Sequence, residues 1–104
     1  MKDIKGKTAF ITGGASGIGL GISKVFVNAG MNVVMADIRQ DHLDQAMEYF
    51  STQVQEKQVH AIQLDVTDRK AMTAAAEETE KVFGNIHVLV NNAVGQAVRP
   101  AGLG

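Results

Sequence analysis

From Thr12 to Gly19 the chain reads Thr-Gly-Gly-Ala-Ser-Gly-Ile-Gly, a glycine-rich turn set between a short apolar run and a stretch with helical spacing. A strand must deliver the chain into such a turn and a helix must carry it away, because clustered glycines favour neither element. The β-rich run Thr8–Thr12 supplies the strand, read as buried. Beyond the turn, Ile18, Ile22, Val25, Phe26 and Ala29 fall at helical spacing, and Gly30 supplies a stop.

The same cycle repeats. Asn32–Ala36 is a second apolar run ending at Asp37, and a helix beginning near Asp41 carries Leu43, Ala46, Met47, Phe50 and Val54 on one face. Val59–Leu64 reads as a third strand closed by Asp65. Thr67 or Asp68 caps a third helix, whose inner face is Met72, Ala75, Ala76, Thr79, Val82 and Phe83 and whose stop is Gly84. Ile86–Val90 is a fourth strand, running into Asn91-Asn92. Strands alternating with helices of this length imply right-handed crossovers and a parallel sheet. Nearly continuous apolar strands agree, since such a sheet is covered on both faces. Ala93–Gly104 holds the only proline, Pro100, and three glycines without a period, and reads as irregular.

Composition narrows the function classes. With 104 residues the chain has room for one domain. A net charge of -1 with both signs interspersed gives no electrostatic case for nucleic acid or an anionic membrane as partner. There is no cysteine, which excludes disulfides and thiolate chemistry. Lys2, Lys5 and Lys7 precede only Ala9-Phe10-Ile11, too short an apolar run for a signal peptide, and nothing approaches a membrane span of roughly 20 apolar residues. A cytoplasmic protein is the expectation.

The glycine turn carries the chemistry. A dinucleotide pyrophosphate needs backbone N–H donors at a helix N-terminus and no side chain in its way. Gly13 takes the turn, Gly17 allows close backbone approach, and Gly19 lets the helix pack near the strand. An ordinary glycine turn has the same local sequence; the placement after a strand and before a helix favours the dinucleotide. Asp37, 18 residues beyond Gly19, is placed to accept hydrogen bonds from both adenosine ribose hydroxyls and to repel a 2′-phosphate. The alternative is a solvated strand-end or cap aspartate. Arg39 is suited to a 2′-phosphate, but Ala15 and Ser16 add no second positive charge, so NAD is favoured over NADP. Asp65-Val66 suits an adenine edge, and Asp65 equally suits the turn before the third helix. All these segments, with Asn91-Asn92-Ala93, fall at the carboxyl ends of strands, where open α/β sheets bind ligands.

These residues resemble the amino-terminal part of the short-chain dehydrogenase/reductase family, classical type. Its pattern Thr-Gly-x-x-x-Gly-x-Gly is matched by Thr12, Gly13, Gly17 and Gly19, and three residues of its Asn-Asn-Ala-Gly motif by Asn91, Asn92 and Ala93. The resemblance covers roughly residues 5 to 93. It implies a Rossmann-like parallel sheet of about four strands, order 3-2-1-4, with about three helices, truncated. Residues 1-93 would be the NAD(P)-binding half-domain and 94-104 an irregular tail. It also implies a dinucleotide site of Gly13, Ser16, Gly17, Ile18, Gly19, Asp37, Ile38, Asp65, Val66, Asn92 and Ala93, with Asp65 against the adenine and the asparagine motif lining the nicotinamide side.

Two departures qualify it. Val94 stands where the family has glycine, and Gln96–Gly104 does not resemble the family's continuation, so a reading frame interrupted near codon 94 is the expectation. The family's Tyr-x-x-x-Lys pair, in which Tyr moves the proton and Lys lowers its pKa, has no counterpart: the sole tyrosine is Tyr49, followed four places on by Gln53. No catalytic residue is therefore assigned, and Tyr49 is read as packing. His42, His60 and His87 lack ligand spacing, so no metal is expected. No Gly-Lys-Ser/Thr follows the glycine turn, which excludes a triphosphatase loop. The expected function is a truncated NAD(P)-dependent alcohol/carbonyl oxidoreductase, inactive alone. A non-catalytic dinucleotide-binding or interaction fragment and an inactive remnant are the alternatives. An exposed fourth strand predicts marginal stability and self-association.

Overall fold

In the computed structural model, residues 3–92 are described. Ala93 and the tail 94-104 lie outside the described residues. The order is β1 (Thr8–Thr12), α1 (Gly17–Asn28), β2 (Asn32–Asp37), α2 (Gln40–Thr52), a 3-10 turn (Glu56–Gln58), β3 (Val59–Gln63), α3 (Arg69–Phe83) and β4 (Val88–Asn91). The four strands form one parallel sheet in the order β3-β2-β1-β4. Thr12 lies level with Ala36 on one side and Asn91 on the other, so the strands finish along a common edge.

Alternation along each strand sends successive side chains to opposite faces and splits the core in two. Ala9, Ile11, Val33 and Met35 face α1 and α2, packing with Val27, Met31, Leu43, Ala46 and Phe50. Phe10, Val34 and Ala36 face the other way, against Ala75 of α3, Leu64 and partly buried Met72, Phe83 and Ile86. The chain steps outward from β1 to β2 to β3, then crosses back to β4 on the far side of β1. The glycine turn lies where that direction reverses. This is the point at which an open α/β sheet leaves a crevice.

Four expected inner-face positions are corrected. Ile18 and Val25 of α1 are 77% and 63% exposed; the buried line is Gly19, Ser23 and Val27. The helix approaches the sheet so closely at its start that only small side chains fit beneath it. Val82 is likewise exposed, with Ala75 and Thr79 forming the buried line of α3. Val54 lies past the end of α2, exposed, with φ 57. That left-handed conformation crowds a β-branched side chain, and glycine is the usual residue there.

Element limits differ by a few residues. α2 starts at Gln40, β2 takes in Asp37, β3 ends at Gln63, and β4 runs Val88–Asn91. Asp68 is the α3 cap, its side chain accepting the Ala71 N–H at 3.1 Å. Two histidines bridge elements: Nδ1 of His87 accepts the Thr8 N–H at 3.1 Å, and His60 Nε2 meets Glu78 of α3 at 2.5 Å. Among the described residues, no helix is long and apolar enough to cross a membrane.

Candidate functional site

The site is built on the common edge where the strands end. Leaving β1, the chain turns at Gly13, φ 64, and the Gly13 N–H donates to the Ala36 carbonyl of β2 at 2.7 Å. A side chain at Gly14 would put its Cβ 2.8 Å from the Ile11 carbonyl oxygen. Gly17, φ 57, opens α1, and nothing lies within 4 Å of where its Cβ would be. Gly17 is therefore held by its backbone conformation and faces open space.

Ser16 occupies the cap position of α1, yet its hydroxyl caps no N–H, and no acidic side chain stands in the first turn. The N–H groups of Gly17, Ile18 and Gly19 have no intrahelical acceptor, as at any helix start. Here the usual side-chain remedy is also absent. A row of uncapped donors beside open space, at the positive end of a helix, suits an anion.

Gly19 is fixed by contact. A Cβ there would lie 1.8 Å from the Gly13 carbonyl oxygen and 2.8 Å from Asn92 Nδ2. Asn92 in turn donates from Nδ2 to that same carbonyl at 3.3 Å, tying the end of β4 to the glycine turn. Ser23, fully buried one helical turn on, directs its hydroxyl at the carbonyls of Gly14 and Gly19, each at 3.0 Å. Ser23 is not among the residues to which the sequence motifs point. The spacing of Gly19 and Ser23, small residues four apart, was the signal available for a close-packed face.

Asp37 is 8% exposed, so it is not solvated, while its contact with the start of α2 keeps the cap role among its alternatives. Its Oδ2 accepts the Ala15 N–H at 3.3 Å and its Oδ1 the Arg39 N–H at 3.1 Å, so one carboxylate joins the glycine turn to the start of α2. Ile38 beside it is 60% exposed, and Ile18 stands out from the glycine turn. In the sequence Arg39 is the group suited to a 2′-phosphate, against the expected preference for NAD. Its guanidinium instead grips Asp41, Nε to Oδ1 at 2.9 Å and Nη2 to Oδ2 at 2.7 Å.

Asp65 takes the turn role. Its Oδ1 accepts both the Thr67 N–H (2.9 Å) and the Thr67 hydroxyl (2.7 Å). These hydrogen bonds hold its carboxyl below the usual aspartate range. The stabilisation from that turn is therefore fully present above the ordinary carboxylate pKa and is lost as pH falls through the lowered value. Val66 is partly buried against the α3 side of the core. Tyr49 packs edge-on against Phe50, with the Lys24 ammonium 4.0 Å from its ring centroid. Ala93 lies outside the described residues.

The sequence pattern of the short chain dehydrogenases matches residues 7–102. The chain belongs to that family. The family likeness thus continues past residue 93, through the segment where the sequence reading placed a break near Val94. Among relatives of this short-chain dehydrogenase chain, a C alpha-dehydrogenase of Sphingobium sp. is 44% identical over 96 residues, covering 91% of this chain and 30% of that protein. A short-chain dehydrogenase/reductase of Burkholderia phymatum, solved with NAD, superposes with a TM-score of 0.79 at 29% identity, over 86% of this chain and 31% of that one. The C-domain of a bacterial malonyl-CoA reductase, solved with NADP, gives 0.81 at 31% identity, over 88% and 15%. The chain spans about a third or less of the length of these proteins.

Proposed function

We propose that the described residues form the cofactor half of an NAD-dependent oxidoreductase acting on alcohol/carbonyl pairs. The observation that carries this reading is the uncapped start of α1 beside Gly17, one loop away from the buried carboxylate of Asp37. In this reading the N–H groups from Ser16 to Gly19 hold the pyrophosphate, and Ile18 and Ile38 flank it as apolar walls. Asp37 accepts the adenosine ribose hydroxyls. Asp65, whose Oδ1 serves its own turn, meets the adenine with its second oxygen, next to Val66. Asn92 holds the end of β4 against the glycine turn, with Ala93 following towards the nicotinamide side.

The bound nicotinamide would exchange hydride with the substrate carbon. The 104 residues contain no Tyr-x-x-x-Lys pair to move the hydroxyl proton. This chain by itself is thus expected to bind dinucleotide without turning over an alcohol. Calorimetric titration tests the reading: NAD should bind weakly but at least about tenfold more tightly than NADP, because Asp37 repels a 2′-phosphate. Equal affinities, or no binding of either, would contradict it.

A second reading, an interaction fragment, rests on surface. Among the described residues β4 pairs only with β1, leaving one edge unpaired, and Leu89 on that strand is 56% exposed. Ile18, Ile22, Val25 and Phe26 line an apolar groove with Val90 beside that edge. Neither proline nor charge protects β4. Such an edge pairs readily with another copy. Sedimentation velocity should accordingly show self-association at micromolar concentration; a single monomeric species would count against this reading.

A further inference from the structure

Arg39 is the one basic side chain close in sequence to the carboxylate that ends β2, and its own backbone N–H donates to Asp37. A guanidinium placed there is the natural partner for a 2′-phosphate, because its planar fork matches two phosphate oxygens. The structure gives that fork another occupant. Nε and Nη2 of Arg39 meet the two oxygens of Asp41 at 2.9 and 2.7 Å, which uses the parallel donor pair of the guanidinium.

We propose that Asp41 is a specificity-determining residue, which holds the Arg39 guanidinium in a two-point pair and so withholds it from a 2′-phosphate. This rests on the reading that the site takes a nicotinamide dinucleotide. Preference for NAD then has two sources: repulsion by Asp37 and sequestration of the nearest positive charge.

The position of Asp41 favours the pair. It lies in the first turn of α2, where the helix dipole stabilises a carboxylate, whereas Arg39 at the cap position faces that same positive end. Each partner reinforces the other's charge: their mutual hydrogen bond raises the Arg39 pKa and holds the Asp41 carboxyl below the ordinary range. Both side chains are more than half exposed, at 59% and 54%. An exposed pair of this kind contributes little to folding. It nonetheless decides which anion the guanidinium meets, since a phosphate arriving there must first displace Asp41 from the donor pair.

The test is a double-mutant cycle on the 104-residue chain, with NAD and NADP titrated calorimetrically into wild type, Asp41→Asn, Arg39→Gln and the double variant. Asp41→Asn should tighten NADP by about two- to fivefold and leave NAD within about 1.5-fold. The gain should vanish when Arg39→Gln is the background, and it should shrink as salt rises. A gain that survives in the Arg39→Gln background would come from charge removal alone and overturns the proposal. Unchanged NADP affinity in Asp41→Asn, with NAD still bound, overturns it too and leaves the proposed function standing. If wild type and all variants bind neither nucleotide, the proposed function falls and this inference with it.

Discussion

Gly19→Ala is expected to destabilise the chain by about 3 kcal/mol, a large part of the stability of a small domain. The added Cβ would sit 1.8 Å from the Gly13 carbonyl oxygen and 2.7 Å from its carbon, and both are backbone atoms. No rotamer relieves that overlap. The turn must move, and it is held from three sides: by Asn92, by Ser23 through Gly14, and by the Ala36 carbonyl that accepts the Gly13 N–H. Gly21→Ala is the matched control. It lies in the same helix with nothing within 4 Å of its Cβ, so the better helix propensity of alanine should stabilise by up to about 1 kcal/mol. Urea unfolding followed by circular dichroism separates them, and similar midpoints for the two variants would show that the close approach is not what fixes Gly19.

Asp37→Ala should cost about 100-fold in NAD affinity. Two hydrogen bonds from ribose hydroxyls to a carboxylate, at about 1.5 kcal/mol or more each, sum to that factor. The same substitution strips the acceptor from the Ala15 and Arg39 N–H groups, so a loss of folding stability of about 1–3 kcal/mol should accompany it. Asp37→Asn keeps one carbonyl acceptor and the side-chain size. It should recover much of the stability but only part of the NAD affinity, and should bind NADP relatively better because the repelling charge is gone. Titrations of both variants, each with an unfolding curve, distinguish a ribose contact from a purely structural aspartate. If NAD binds Asp37→Ala within about threefold of wild type, the carboxylate belongs to the fold alone.

Much of this molecule was legible along the chain. β1 was read at its observed limits, and β2, β3 and β4 within two residues at either end, because buried parallel strands are short apolar runs closed by polar residues. The stop at Gly84, φ 86, and the cap of α3 are local events between residues a few places apart. So is the Asp65–Thr67 turn, which the sequence held open against the adenine contact and the structure fills from Asp65 Oδ1. The spacing of Gly13, Gly17 and Gly19 was enough to locate the site on the sheet edge.

What the sequence determined by itself was the alternation of strands and helices, the turn glycines, and the set of residues at the strand ends. Each depends on local backbone preference or on the period of apolar residues. Which face of α1 is buried was decided only by tertiary structure: hydrophobic periodicity marks apolar positions, but the distance between helix and sheet determines whether Ile18 or Gly19 lies beneath. The same holds for the bond from the Ser23 hydroxyl to the Gly14 carbonyl, nine residues back, whereas its bond to the Gly19 carbonyl is the local one a helical serine makes. Asp37 became a buried joint between two loops because the ends of β1 and β2 meet side by side, which brings its Oδ2 to the Ala15 N–H. Charges and hydroxyls choose partners by distance in space, and that distance exists only once the sheet has assembled.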